Sequence, residues 1–139
     1  MRRTYHPVFE SFGVDLVIQG HSHNYQRSYP LLFNEERVSE PIIADKEQTQ
    51  YQDPKGIIFV IAGTGGESVQ PLNKKSFLAS SYEGYGCINV EIKGKSLGVE
   101  YYSDTKDTID KFMITKKPLY SNVDEKNEVQ GIGYDEPAK

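Results

Sequence analysis

The chain has three histidines, and two of them, His21 and His23, stand one residue apart in the run Gly20-His21-Ser22-His23-Asn24-Tyr25-Gln26-Arg27. Imidazole is the commonest protein ligand for metal ions, and zinc, iron, manganese and copper all accept it, so residue type leaves the metal open. In an extended chain alternate side chains share a face, so His21 and His23 can address one ion while Ser22 points elsewhere. Gly20 lacks a Cβ and is expected to let the chain turn sharply and let backbone approach an ion or phosphate. Two imidazoles fall short of a catalytic centre, because zinc enzymes use three protein ligands and two-metal phosphoesterases use more. A bare His-x-His is also compatible with an ordinary surface turn.

The elements that would position the pair lie just before it. Tyr5 to Gly13 has a proline near its start, a glycine at its end and apolar residues at Val8, Phe9 and Phe12, which predicts a short amphipathic helix packed through those three side chains. The run Val14-Asp15-Leu16-Val17-Ile18-Gln19 follows without a linker and predicts one buried strand. Ligands in open α/β sheets collect beyond the carboxyl ends of strands, which is where both histidines would fall.

The run from Pro7 to Pro30, with Gly20-His21-Ser22-His23-Asn24-Tyr25-Gln26-Arg27 at its centre, resembles the last metal-binding block of calcineurin-like metallophosphoesterases, in their purple-acid-phosphatase-like branch. Ile57-Ile58-Phe59-Val60-Ile61-Ala62-Gly63-Thr64-Gly65-Gly66 is similar to the strand and glycine turn that follow that block. The resemblance covers residues 1–116 and implies an α/β fold: part of a two-sheet sandwich, mostly antiparallel after residue 56, with one short N-terminal helix. It implies that His21 ligates the second, divalent metal and His23 the first. It implies as cofactors two transition-metal ions, iron, zinc or manganese, which activate water for in-line attack on phosphorus and neutralise the phosphoryl oxygens.

The family's earlier blocks, which carry the bridging aspartate, an asparagine, further histidines and the general acid, have no counterpart in this sequence. The chain is therefore expected to be a carboxy-terminal portion, inactive on its own, and no residue is assigned as catalytic. His6 reads as a residue at the helix start and not as a ligand. Asp15 reads as capping, paired or at a strand edge. Arg27 could meet a phosphate through its planar fork, with a surface ion pair as the slightly favoured alternative. Asn24 and Tyr25 follow closely enough to hydrogen-bond the ligands, although Tyr25 fits a packed aromatic equally well.

One domain is the default for 139 residues. A mean hydropathy of -0.60 suits a small core with long loops. The net charge of -4 argues against nucleic-acid backbone as partner, since that binding needs clustered Lys and Arg. The single Cys87 permits no disulfide within the chain and is expected to be a buried, inert thiol. No apolar run approaches the roughly 18 residues of a membrane span, and no signal-peptide core stands at the amino terminus, so no membrane role is expected and the compartment stays open.

Residues 33–55 read as a long polar loop, and 56–62 as a buried strand ending in Gly63-Thr64-Gly65-Gly66. The glycine turn could hold an anion, with a plain turn as the better reading. Residues 67–83 read as irregular, with Phe77 and Leu78 at the core edge. Tyr85 to Ile92 and Leu97 to Tyr102 form a hairpin around Lys93-Gly94-Lys95, followed by a strand at Ile109 to Thr115. Several of the ten tyrosines fall in this sheet and are expected to be half-buried with the hydroxyl wet, packing being a better reading than a stacking surface for sugars or bases. From residue 117 a polar, mobile tail is expected.

The leading reading is the carboxy-terminal part of a binuclear metal-dependent phosphoesterase, acting on phosphate mono- or diesters when complete. The alternative is a non-catalytic metal-binding or structural β-module. In the leading reading the chain supplies one sheet and its helix, and the uncovered apolar face predicts a homo-oligomer.

Overall fold

The computed structural model describes residues 2–117. The mobile tail expected from residue 117 lies, from 118 onward, outside the described residues. The chain opens with helix α1, Arg2–Ser11, and continues through ten strands: β1 Leu16–Gln19, β2 Tyr25–Ser28, β3 Leu31–Leu32, β4 Ile42–Ile43, β5 Gln50–Gln52, β6 Ile58–Ala62, β7 Leu78–Tyr82, β8 Gly86–Lys93, β9 Ser96–Ser103 and β10 Thr108–Thr115. The segment read as a polar loop over 33–55 thus carries two short strands, and the segment read as irregular over 67–83 carries a five-residue one.

Helix α1 starts earlier than expected and holds Pro7 in its interior, which removes the hydrogen bond Pro7 would otherwise donate to the Arg3 carbonyl. Its end follows the sequence closely. Gly13, at φ 64°, donates to the Glu10 carbonyl and Val14 to the Phe9 carbonyl, the paired bonds that satisfy a helix's last carbonyls. The covered face differs from the expected one. His6 is buried, edge-on to Phe59 and Phe33 at ring distances of 5.0 and 5.7 Å, while Val8 and Phe12 are exposed. His6 Nε2 donates to the Leu31 carbonyl at 3.2 Å, and Glu10 accepts from the Phe33 N–H, so polar side chains seat this helix.

Two four-stranded sheets are formed, ordered β1-β6-β2-β7 and β5-β10-β9-β8, with β3 and β4 pairing separately. β1 and β6 run parallel, as do β5 and β10; the remaining pairs are antiparallel. β1 is an edge strand with Ile18 exposed, not a fully buried one. The hairpin β8-β9 and strand β10 lie where the alternation placed them.

The sheets pack face to face. Ile58, Val60 and Tyr25 from the first meet Tyr51, Val99, Tyr101, Phe112 and Ile114 from the second in one core. The expectation of a single sheet with a bare apolar face is thereby corrected, because this chain builds both layers. Cys87 is exposed, since it alternates with inward-facing Ile88 along β8. At the far end, Lys116 pairs with Asp15 at 2.9 Å and Asp53 at 3.2 Å, tying the last strand to the start of β1.

Candidate metal centre

Because β1 and β6 are parallel neighbours, their carboxyl ends open on the same edge of the sheet. The loop 20–24 leaves β1 there and the loop 63–70 leaves β6 beside it. Their backbones touch: a Cβ at Gly63 would collide with the carbonyl of Ser22, so the close approach requires glycine at 63. Gly20 meets no such constraint. The left-handed backbone conformation falls one residue later, on His21 at φ 80°, where a side chain makes it costly. The extended alternation expected through His21 and His23 is accordingly replaced by a run of bends.

His21 is exposed and His23 half-buried. His23 Nδ1 lies 3.1 Å from the Ser68 carbonyl. A carbonyl only accepts, so in the neutral ring this nitrogen carries the proton and Nε2 keeps its lone pair. Backbone bonds fix the same residue. Its N–H donates to Gln70 Oε1 at 3.2 Å, and its carbonyl accepts from the Gln70 N–H at 2.9 Å. Asn24 is buried, donates through Nδ2 to the Gln70 carbonyl at 3.2 Å and accepts from Gln26 Nε2 at 2.8 Å. Glu67 stands at the rim. The Ser68 N–H and hydroxyl, with the nearby His23 ring, hold its carboxyl below the usual range.

Thr64 anchors the second loop from below. Its hydroxyl accepts from Tyr101 at 2.8 Å and donates to the Gly86 carbonyl at 3.0 Å. The loop that touches the histidines is thus bonded to the opposite sheet.

Arg27 and Tyr25 turn the other way, into the sandwich. Arg27 is 2% exposed, and its guanidinium donates through Nε and Nη2 to the two oxygens of Asp110 at 2.6 and 2.9 Å, through Nη1 to Tyr51 at 2.9 Å and through Nη2 to the Gln48 carbonyl at 3.0 Å. It also sits over the Phe112 ring, 4.6 Å from the centroid. Burial works against the Arg27 charge, yet the Asp110 carboxylate outweighs it and raises the pKa further. Tyr25 donates to Asp110 at 2.7 Å and stacks on Tyr101 at 4.0 Å; burial first, then Asp110, pushes its phenol up. The surface ion pair and the phosphate contact weighed for Arg27 both give way to a buried, two-pronged pair. For Tyr25 the packed reading is the one observed.

Among the described residues no three His, Cys, Asp or Glu side chains come together as a metal site. Tested on donor chemistry, the set fits in part. His23 Nε2 keeps the lone pair a ligand nitrogen needs, whereas the further donors a closed site needs are not gathered around it among the described residues.

The fold is similar to part of a purple acid phosphatase. The structure superposes on purple acid phosphatase PPD1 from yellow lupin (Lupinus luteus) seeds with a TM-score of 0.68 at 24% identity, covering 81% of this chain and 19% of that one. Sequence relatives include probable inactive purple acid phosphatase 1 of Arabidopsis thaliana, 28% identical over 121 residues, 83% of this chain and 18% of that protein. Acid phosphatase type 7 of Mus musculus is 27% identical over 105 residues, covering 72% and 23%. An uncharacterized protein of Mycobacterium tuberculosis is 35% identical over 80 residues, covering 55% and 15%. No protein-family model matches. The chain is purple-acid-phosphatase-like over most of its length, consistent with a carboxy-terminal portion, and spans between 15% and 23% of these curated relatives.

Gln70, Ser68 and Gly63 were not singled out from the sequence as parts of this cluster. Gln70 lies 47 positions from His23 and carries no motif; the available signal was the glycine turn after a strand that could run parallel to β1.

Proposed function

We propose that His21 and His23 are two of the ligands of a binuclear metal centre, and that the chain forms part of a phosphoesterase acting on phosphate mono- or diesters. The observation that carries this reading is the His23 ring: its Nδ1 proton is committed to the Ser68 carbonyl, so Nε2 is left to face a ligand. The strained backbone at His21 supports it, since left-handed non-glycine residues gather at functional turns. When bound, the metal pair supplies Lewis-acid chemistry to the phosphoryl group and its attacking water. The chain's own contribution is to hold two imidazoles at the end of β1 and to brace them through the loop 63–70. Arg27 is spent on Asp110 and takes no part in substrate binding.

A second reading, a structural β-module without hydrolase activity, draws on the absence of a third donor among the described residues. Metal content after purification without chelator, together with hydrolysis of a chromogenic phosphate ester in added manganese, iron or zinc, separates the two. Metal bound to the chain and lost from the His21→Ala/His23→Ala double variant is the expected result. Equal metal content in both proteins, or turnover that persists in the double variant, would remove these histidines from the chemistry.

A further inference from the structure

We infer that Gln70 is a positioning residue, which holds His23 in one place and one tautomer through the segment 63–70 of the loop between β6 and β7. The inference rests on the ligand role proposed for His23 only for its functional meaning; the geometry stands apart from it. Gln70 is exposed and contributes nothing to the core. Its polar groups nevertheless converge on His23 and its neighbour Asn24. The side-chain oxygen accepts from the His23 N–H at 3.2 Å, the main-chain N–H donates to the His23 carbonyl at 2.9 Å, and the main-chain carbonyl accepts from Asn24 Nδ2 at 3.2 Å. Two residues earlier in the same loop, the Ser68 carbonyl takes the Nδ1 proton of the His23 ring at 3.1 Å. The backbone of His23 and its imidazole are therefore gripped by one short segment, and the side chain of Gln70 closes that grip.

A loop carbonyl orients a ring only while the loop keeps its distance. Gly63 and Thr64 fix the near end of the segment, against the Ser22 backbone and against Tyr101 and Gly86 respectively. Gln70 fixes the far end. Without its side-chain acceptor, the far end keeps its main-chain bonds but loses the one that ties it to the His23 N–H. The Ser68 carbonyl is then free to drift, and Nε2 competes with Nδ1 for the proton.

The test uses the metal-free chain with nitrogen-15 in its histidines, at about pH 8, where an ordinary imidazole is neutral. The expected spectrum shows His23 as the Nδ1–H tautomer. In Gln70→Ala the preference for that tautomer falls about fivefold, and His23 amide exchange quickens by a similar factor, the worth of one ordinary hydrogen bond. Gln70→Glu retains an acceptor at the same place and restores both readouts, which a role limited to fold stability would not predict. Unchanged tautomer and exchange in Gln70→Ala, or equal losses in Gln70→Ala and Gln70→Glu, would overturn the inference. Zinc titration of the same proteins keeps the two ideas separate. If the tautomer shifts in Gln70→Ala but the unaltered chain binds no zinc, positioning stands and the ligand role fails. If both hold, Gln70→Ala weakens zinc binding by about tenfold or more.

Discussion

Two polar regions drawn from the run 20–27 differ in what they leave free. Inside the sandwich, Arg27, Asp110, Tyr25 and Tyr51 satisfy one another: the guanidinium's nitrogens all donate, and the carboxylate accepts from Arg27 and Tyr25. At the end of β1, His21 is exposed on strained backbone, and His23 spends one nitrogen on Ser68 and keeps the other. Buried polar groups are usually fully paired, and unpaired ones are costly, so the first cluster reads as a clasp between sheets. The second reads as a set of groups held ready. The difference shows that a charged residue close in sequence to a metal motif need not serve it.

The largest expected effect breaks the clasp. Asp110→Ala leaves the Arg27 charge buried without its carboxylate and should cost about 3 to 5 kcal/mol in urea or thermal unfolding. The paired replacement Arg27→Met/Asp110→Leu should recover part of that loss, because it removes both desolvation penalties together while leaving the Tyr25 and Tyr51 hydroxyls without these partners. Recovery in the pair would confirm that the clasp is structural. A double variant no more stable than the single one would point to a different role for Arg27.

A smaller change of opposite sign is expected at the other region. His21→Gly relieves a left-handed conformation and should raise stability by about 0.5 to 1 kcal/mol, after allowing for the extra freedom glycine gives the unfolded chain. The same variant should lose metal. Stabilisation with loss of binding would sharpen the contrast between groups kept for fold and groups kept for chemistry; a destabilised variant would mean that the His21 side chain packs in some way the exposed position does not suggest.

The smallest effect tests a polar group of neither kind. Lys116 bonds to Asp15 and Asp53 near the surface, chiefly through the Asp15 hydrogen bond, and its pKa is raised above 10.5. A raised value means the pair stabilises fully below the ordinary lysine pKa and loses its contribution as pH climbs through the folded one. Lys116→Ala should cost about 0.2 to 1 kcal/mol at neutral pH, and the gap between the two proteins should close in alkaline melts.

The local parts of this architecture were legible in the sequence, and the non-local parts were not. Gly13 announced the helix end, the hairpin at Lys93-Gly94-Lys95 announced β8 and β9, and His21 and His23 stood out because their spacing is itself the motif. β7 was missed because Leu78-Ala79-Ser80-Ser81-Tyr82 has small polar residues and no alternation, and β5 because only Tyr51 in it is apolar. The helix face was misjudged because His6 and Glu10, not Val8 and Phe12, find partners across the chain. Arg27 finds its carboxylate 83 positions away, and no local pattern encodes a contact at that range. Cys87 was misplaced despite an available signal, its alternation with Ile88.

The most direct measurement of the ligand role is a zinc titration followed through the imidazole nitrogens of His21 and His23. The expected result is that zinc shifts His23 Nε2 and one nitrogen of His21, while His23 Nδ1 keeps its proton and its bond to Ser68. Zinc that leaves both rings unchanged, or that binds through His23 Nδ1 by displacing that proton, would contradict it.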